Sequence, residues 1–421
     1  MLPAVLFNRG NIYNIDYDST QYEYFQNAYN SLNYFEIKPQ QYIVYGNKYV
    51  VFMDVETDFK DDGVFKYSFC KPVDNAPDIE LDARLYEDSG EGLVHWIINW
   101  TTESFTYDHI DFDILIKSLN VKSPSQITLV TGAYLEQEFM PQEMIDNVQS
   151  RGVNLLSGDT LRYVLFTDEN IRYNKEHFYK ARIEQIERKL KPRFRSVCYN
   201  RRARPHRILI LAHMRSKGYI DSCIHSLGDH APRGEGNSYS KNEPYFDYLS
   251  DDVDYYINHE GFVTPVIGEQ DIDLDFNHAP TVFLPHAMNS TLHIVTETVP
   301  EVPYNSSFIT EKSYKPFLMM QPFIQFGDVN NIEVLRRKGF RTFDRWINHD
   351  YDKEPDHKTR MIKFLAELDR LHSMSDEWWS ETLIEMLGDL TYNFEQMHKQ
   401  DKDPFAPACD LIPILTQFKQ S

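Results

Sequence analysis

Short apolar runs recur along the whole chain, each closed by Gly, Asn, Asp or Pro, and this punctuation restricts the fold more than any other feature. In the first half they are "QYIVYG", "KYVVFMDV", "LVHWIINW", "QITLVTG" and "RYVLFTDEN". Several are continuous rather than alternating, as strands covered on both faces require. Between them stand "FDILIKSL" and "PQEMIDNVQSRG", the second opening on Pro141 and closing at Gly152 as a helix does. Strand, helix and strand in repeated order predict an α/β fold with a parallel sheet.

The alternation repeats after a charged helical stretch, residues 172–191, which ends at Pro192. Strands are predicted at "SVCYN", "FVTPVIG", "TVFLP", "LHIVTET" and "PFIQFG", and helices from Lys358 to about Lys399. A chain of 421 residues exceeds what one core normally supports, so the reading is of two domains, 1–192 and 193–357, followed by C-terminal helices and a tail at 358–421.

The 64 acidic residues outnumber 43 basic ones, a net charge of −21, which disfavours clamping duplex DNA by broad phosphate neutralisation. The four cysteines, Cys70, Cys198, Cys223 and Cys409, form no CxxC pair, which fits buried thiols in a reducing compartment and argues against a zinc site. No apolar run approaches the roughly 18 residues of a membrane span, so a cytoplasmic protein is expected. The acidic stretches "SDDVDYY" and "DIDLDFNHAP" read as solvated loops, with a metal site as the minor alternative.

Two stretches carry chemistry. In "SVCYNRRARPHRILILAHMRSKG" a strand ends at Asn200, and Arg201, Arg202, Arg204 and Arg207 crowd the start of a helix opened by Pro205 and closed by Gly218. Free N–H groups and arginine forks would suit a phosphate there. An exposed basic turn, or a strand at "RILILA", is the competing reading. In "NSSFITEKSYKPFLMMQPFIQFG" Thr310 can cap a helix whose first turn holds Glu311, with Lys312 and Lys315 three residues apart on one side. Taken on spacing alone, this is a Glu–Lys surface pair of little energetic weight. Both stretches follow strands, so both can face the crevice where open α/β sheets bind ligands.

The second stretch resembles the "TEK" segment of the α-1,3-fucosyltransferases and related two-domain (GT-B) glycosyltransferases, and "SVCYNRRARPHR" is similar to that family's strand, turn and arginine-led helix. The span from "RFRSVCYNRRARPHR" to "RRKGFRTFDRWINHDYD" also resembles uncharacterised glycosyltransferase-like proteins of tailed phages. The resemblance implies a GT-B-like pair of Rossmann-like domains with a cleft between them, acting on a nucleotide-diphosphate sugar as substrate, with no cofactor and no metal. It implies donor contacts at Asn200, Arg202, Arg207, Thr310, Glu311 and Lys312, with the arginine and lysine on phosphate and Glu311 on ribose hydroxyls. Phe308 stands where the family has Tyr, and either Glu297 or Glu301 is the counterpart of a further family acid. The family's general base follows a "TG" turn; here Ala133 follows Gly132, which leaves Glu136 or Glu138 for that role. The acceptor would be a glycan or a hydroxymethylated base of phage DNA. The rival reading is a sugar- or nucleotide-binding protein without catalysis on a degenerate transferase fold.

Overall fold

The computed structural model describes residues 83–100, 119–131, 142–157, 169–200, 204–227, 284–297 and 308–400, the strands at 4–8, 11–15, 41–45, 48–54, 58–59 and 65–66, and positions 116, 117 and 417. The chain divides into two compact units, one of residues 1–163 with 403–421 and one of residues 164–402.

The first unit is built on a seven-stranded sheet. Its strands are β1 (Ala4–Asn8), β2 (Asn11–Ile15), β3 (Gln41–Tyr45), β4 (Lys48–Asp54), β7 (Val94–Trp100), β8 (Ile127–Thr131) and β9 (Asn154–Ser157), in the order β2-β1-β3-β4-β7-β8-β9. The short strands β5 (Asp58–Phe59) and β6 (Phe65–Lys66) pair separately. Helix α1 (Ala83–Gly90) precedes β7 and α2 (Gln142–Gln149) precedes β9.

The expected parallel sheet is present in one part of this sheet, and an antiparallel part joins it. From β4 to β9 it is parallel, but β2, β1, β3 and β4 pair antiparallel. Only Gly46 and Asn47 separate β3 from β4, and only Arg9 and Gly10 separate β1 from β2. A two-residue link makes a hairpin and is far too short for a parallel crossover. On the parallel side Trp96 is fully buried and donates to Ser89 Oγ at 2.9 Å, while Ser89 donates to the Leu119 carbonyl at 2.6 Å. Glycine is required at Gly152, where φ is +78° just beyond α2.

The second unit holds a wholly parallel sheet of β10 (Phe194–Cys198), β11 (Cys223–His225), β12 (Ser290–Thr296) and β13 (Phe323–Phe326), in the order β11-β10-β12-β13. Every residue of β12 is buried, which explains its continuous apolar character. Its helices are α3 (Glu169–Glu187), α4 (Pro205–Ser216), α5 (Leu284–Asn289), α6 (Glu311–Leu318), α7 (Asn331–Arg337), α8 (His357–Ser373) and α9 (Asp376–Gln400). The stretch "RILILA" is thus helical, and burial of Ile208 through Ala212 accounts for its apolarity on every side.

Two expectations shift. "TVFLP" was expected as a strand, but from Leu284 onward the chain is helical, with Pro285 in the first turn where a missing N–H costs nothing. The boundary at Pro192 separates α3 from the unit it packs in. Gln185 of α3 donates to the Met288 carbonyl at 2.6 Å, and Phe178 lies 6.4 Å from Phe394 of α9. The C-terminal helices likewise belong to this unit, since α9 packs on α6 and α3. Phe317 stacks on Phe340 at 4.3 Å beneath them. Among the described residues no helix is long and apolar enough to cross a membrane. The segments "RYVLFTDEN" before Glu169, "FVTPVIG" and the two acidic stretches, and most of "FDILIKSL", lie outside the described residues.

Candidate active site

The carboxyl edge of the second sheet gathers most of the residues expected to act. Asn200, two residues beyond β10, is fully buried and stitches three strand ends together. Its N–H donates to Ser226 Oγ at 3.0 Å, its amide donates to Cys198 Sγ at 3.3 Å, and its Oδ1 accepts from Thr296 Oγ1. Asn200 therefore holds the edge in shape from within.

Helix α4 starts beside it, with Pro205 in the first turn and Arg204 as an extended N-cap. Arg207 points inward, 2% exposed, and its Nη2 donates to the carbonyls of Thr296 at 3.2 Å and Glu297 at 3.4 Å. His206 Nε2 donates to the same Glu297 carbonyl at 2.9 Å. Burial, and next the neighbouring Arg204 charge, pull the Arg207 guanidinium down to about 9, against the pull of Glu297 and Glu311. Glu297 puts α4 and α6 on one edge, since its carbonyl accepts from Arg207 and its carboxylate accepts from Thr310.

Glu297, directly after β12, links the two helices. It is fully buried. One carboxylate oxygen accepts from the Thr310 N–H at 2.9 Å and from Ser313 Oγ, and the other accepts from Thr310 Oγ1 at 2.6 Å. Three donors from the start of α6 thus converge on one side chain, a geometry that fixes where the helix begins. Thr310 is the N-cap, its hydroxyl accepting from the Lys312 N–H at 3.3 Å.

The two residues that follow the cap face outward more. Lys312 Nζ donates to Glu311 Oε1 at 2.8 Å and to Thr310 Oγ1 at 3.2 Å, with side chains 21% and 8% exposed for Lys312 and Glu311. Burial alone would raise the Glu311 carboxyl, but Lys312 and Lys315 outweigh it and hold it below the usual range, so Glu311 is an anion at neutral pH. Lys315 is buried, 6.0 Å over the Tyr199 ring. Phe308 is also buried, at 1% exposure, and its carbonyl accepts from Asn331 Nδ2 at 3.2 Å.

The edge closes on Gly327, a position that carried no functional reading in the sequence beyond ending a strand. A Cβ there would stand 2.3 Å from Asn331 Nδ2 and 3.2 Å from Glu297 Cβ. Asn331 Nδ2 donates to the Phe308 carbonyl, so retreat of the amide would strain or break that bond. Gly327→Ala is expected to cost about 1–3 kcal/mol of stability, read from the urea midpoint at unchanged slope. Beside it Asp328 is buried, and burial pushes its carboxyl well above the usual range.

Of the residues expected from sequence, Asn200, Arg207, Glu297, Phe308, Thr310, Glu311 and Lys312 meet at this edge. Arg202, Glu301, Glu136 and Glu138 lie outside the described residues. Sequence reasoning missed Ser226, His206, Ser313, Gly327 and Asn331. Only Gly327 carried a signal, a glycine abutting a buried strand. Among the described residues no group of three or more His, Cys, Asp or Glu side chains is placed to hold a metal ion.

No protein-family model matches the chain. No curated protein matches it either. One solved structure, titled a glycosyltransferase from Rickettsia africae ESF-5, is similar over 77% of this chain and 73% of that one, at 11% identity and a TM-score of 0.29. A likeness of that order carries no argument about what this chain does.

Proposed function

We propose that the chain is a glycosyltransferase of GT-B type whose second unit binds a nucleotide-diphosphate sugar at the carboxyl edge described above. The observation that carries the reading is the convergence on Glu297: its carbonyl takes Arg207 and its carboxylate takes the cap of α6, so the Lys312 ammonium and the Glu311 anion are set at the same edge as the α4 start. An ionised Glu311 can accept from a ribose diol, and Lys312 supplies a point charge to a diphosphate. Arg207, whose Nη2 donates to backbone carbonyls, contributes positive potential behind the site.

In the reaction the acceptor oxygen attacks the anomeric carbon as the bond from that carbon to the diphosphate breaks. The diphosphate leaves with the electron pair, and the acceptor proton passes to a carboxylate, Glu136 or Glu138. Inversion follows from a single displacement. Lys312 stabilises the charge on the leaving group, a role that needs no metal ion. The acceptor is a glycan or a hydroxymethylated DNA base. The test is sugar transfer from a panel of nucleotide sugars: Lys312→Ala should lower kcat about 100-fold, and unchanged kcat and KM would remove Lys312 from the mechanism.

The second reading, binding without catalysis, is favoured by Ala133 standing where the family places its base. Saturable nucleotide-sugar binding with no transfer and no hydrolysis would select it.

A further inference from the structure

The second unit has another concave region, at the opposite end of its sheet from the carboxyl edge. A cleft of about 230 Å³ opens where β10 and β12 begin, walled by the end of α3 and by the corner between α8 and α9. Five basic side chains, Arg182, Lys189, Lys191, Arg193 and Arg195, line it against one lining acid, Asp376, and Glu381 beside the cleft pairs with Lys189. This balance is unusual in a chain of net charge −21.

Asp376 serves two of the cations at once, Arg195 at 2.7 Å and Lys191. Lys189 reaches Glu381, and Arg193 lies 5.0 Å over the Phe194 ring. Arg182 is the decisive residue. It has no exposure, and its donors meet only neutral acceptors: Gln185 Oε1 at 2.6 Å, and the carbonyls of Met320 and Ser290, each at 3.4 Å. No described carboxylate lies within ion-pair distance of it. A buried guanidinium without a counter-ion is unfavourable; its nitrogens are all donating and none is exposed, so an anion in the cleft would offset part of that cost through space rather than by contact. Trp379 and Tyr219 add aromatic surface to the lining, and Ser222 and Thr291 add hydroxyls.

We propose that this cleft binds a phosphate monoester of a small polyol, at a site separate from the carboxyl edge. The phosphate matches the surplus of arginine forks and lysine ammonium groups. The hydroxyls and rings suit a polyol, and the volume lies below the roughly 300 Å³ at which pockets for drug-sized ligands begin. The assignment stands whether or not the chain transfers sugar.

Calorimetry of the full chain with glycerol 3-phosphate, inorganic phosphate and glycerol tests it. The ester is expected to bind with Kd of about 1 mM or tighter, phosphate more weakly, and glycerol not at all. Because Arg182→Ala removes a buried side chain and can unfold the unit, the informative variant is Lys191→Glu with Arg193→Glu on the exposed rim. It should weaken the ester at least about tenfold, while Lys312→Ala leaves the affinity unchanged. Absence of heat up to about 10 mM ester, affinity untouched by the rim variant, or loss with Lys312→Ala would each overturn the site. Inorganic phosphate bound as tightly as the ester would overturn the polyol assignment.

Discussion

Replacing Glu297 by Ala is expected to remove at least about 3 kcal/mol of stability from the second unit. The expectation follows from counting what would be orphaned. The Thr310 N–H, the Thr310 hydroxyl and the Ser313 hydroxyl all end on this carboxylate, in a place with no exposure. Each buried donor left without an acceptor costs about 1–3 kcal/mol, and the cavity adds to it. Glu297→Gln preserves shape and keeps one oxygen as acceptor, but turns an NH2 toward a donor, so a loss of about 1–2 kcal/mol is expected. Urea unfolding of the two variants separates the cases. Equal and small effects would show that the convergence on Glu297 does not hold the start of α6.

The second large effect is acid sensitivity. Seven imidazoles among the described residues of the second unit are held neutral by burial: His206 well below its ordinary value, His293 and His398 down to about 3, and His286, His349, His357 and His372 down to about 4. In the unfolded chain each takes a proton near pH 6.5, so as pH falls below that value the unfolded state binds more protons than the fold. Stability is then complete above about pH 6.5 and lost toward pH 4. Asp352 and Asp328 act in the opposite sense. Burial raises Asp352 to about 7 and Asp328 well above its ordinary value, so each contributes stability in acid that is lost as pH rises. Two carboxyls oppose seven imidazoles, and the net expectation is a steep fall in the urea midpoint between pH 6.5 and 4.5. A midpoint flat over that range would contradict the buried neutral histidines.

How far the sequence reveals this molecule depends on how local the determining interaction is. The cap at Thr310 with Glu311 in the first turn, and the Pro205 start of α4, are properties of a few adjacent residues and are readable as such. The continuous apolar runs mark β4, β7, β8, β12 and β13 for the same reason. The antiparallel half of the first sheet is also legible in the two-residue spacers, Arg9-Gly10 and Gly46-Asn47, which are too short for a parallel crossover. What could not be read is the role of Glu297. Its partners lie thirteen and sixteen residues on, across a segment with no periodic signal, and Glu301 is as acidic and as near. The orientation of Arg207 was equally hidden. Helical phase alone does not say whether a guanidinium turns to solvent or onto the carbonyls of the next strand, and here it takes the carbonyls.

The account rests on Lys312 and Glu311 being presented to a diphosphate at the carboxyl edge. Calorimetric titration of the full chain with a panel of nucleoside diphosphates and their sugars measures this directly. At least one member should bind saturably, and Lys312→Ala should weaken it about tenfold or more, measured under conditions where the variant remains folded by its urea midpoint. Failure of every member to bind, or identical affinities for the parent and Lys312→Ala, would contradict it.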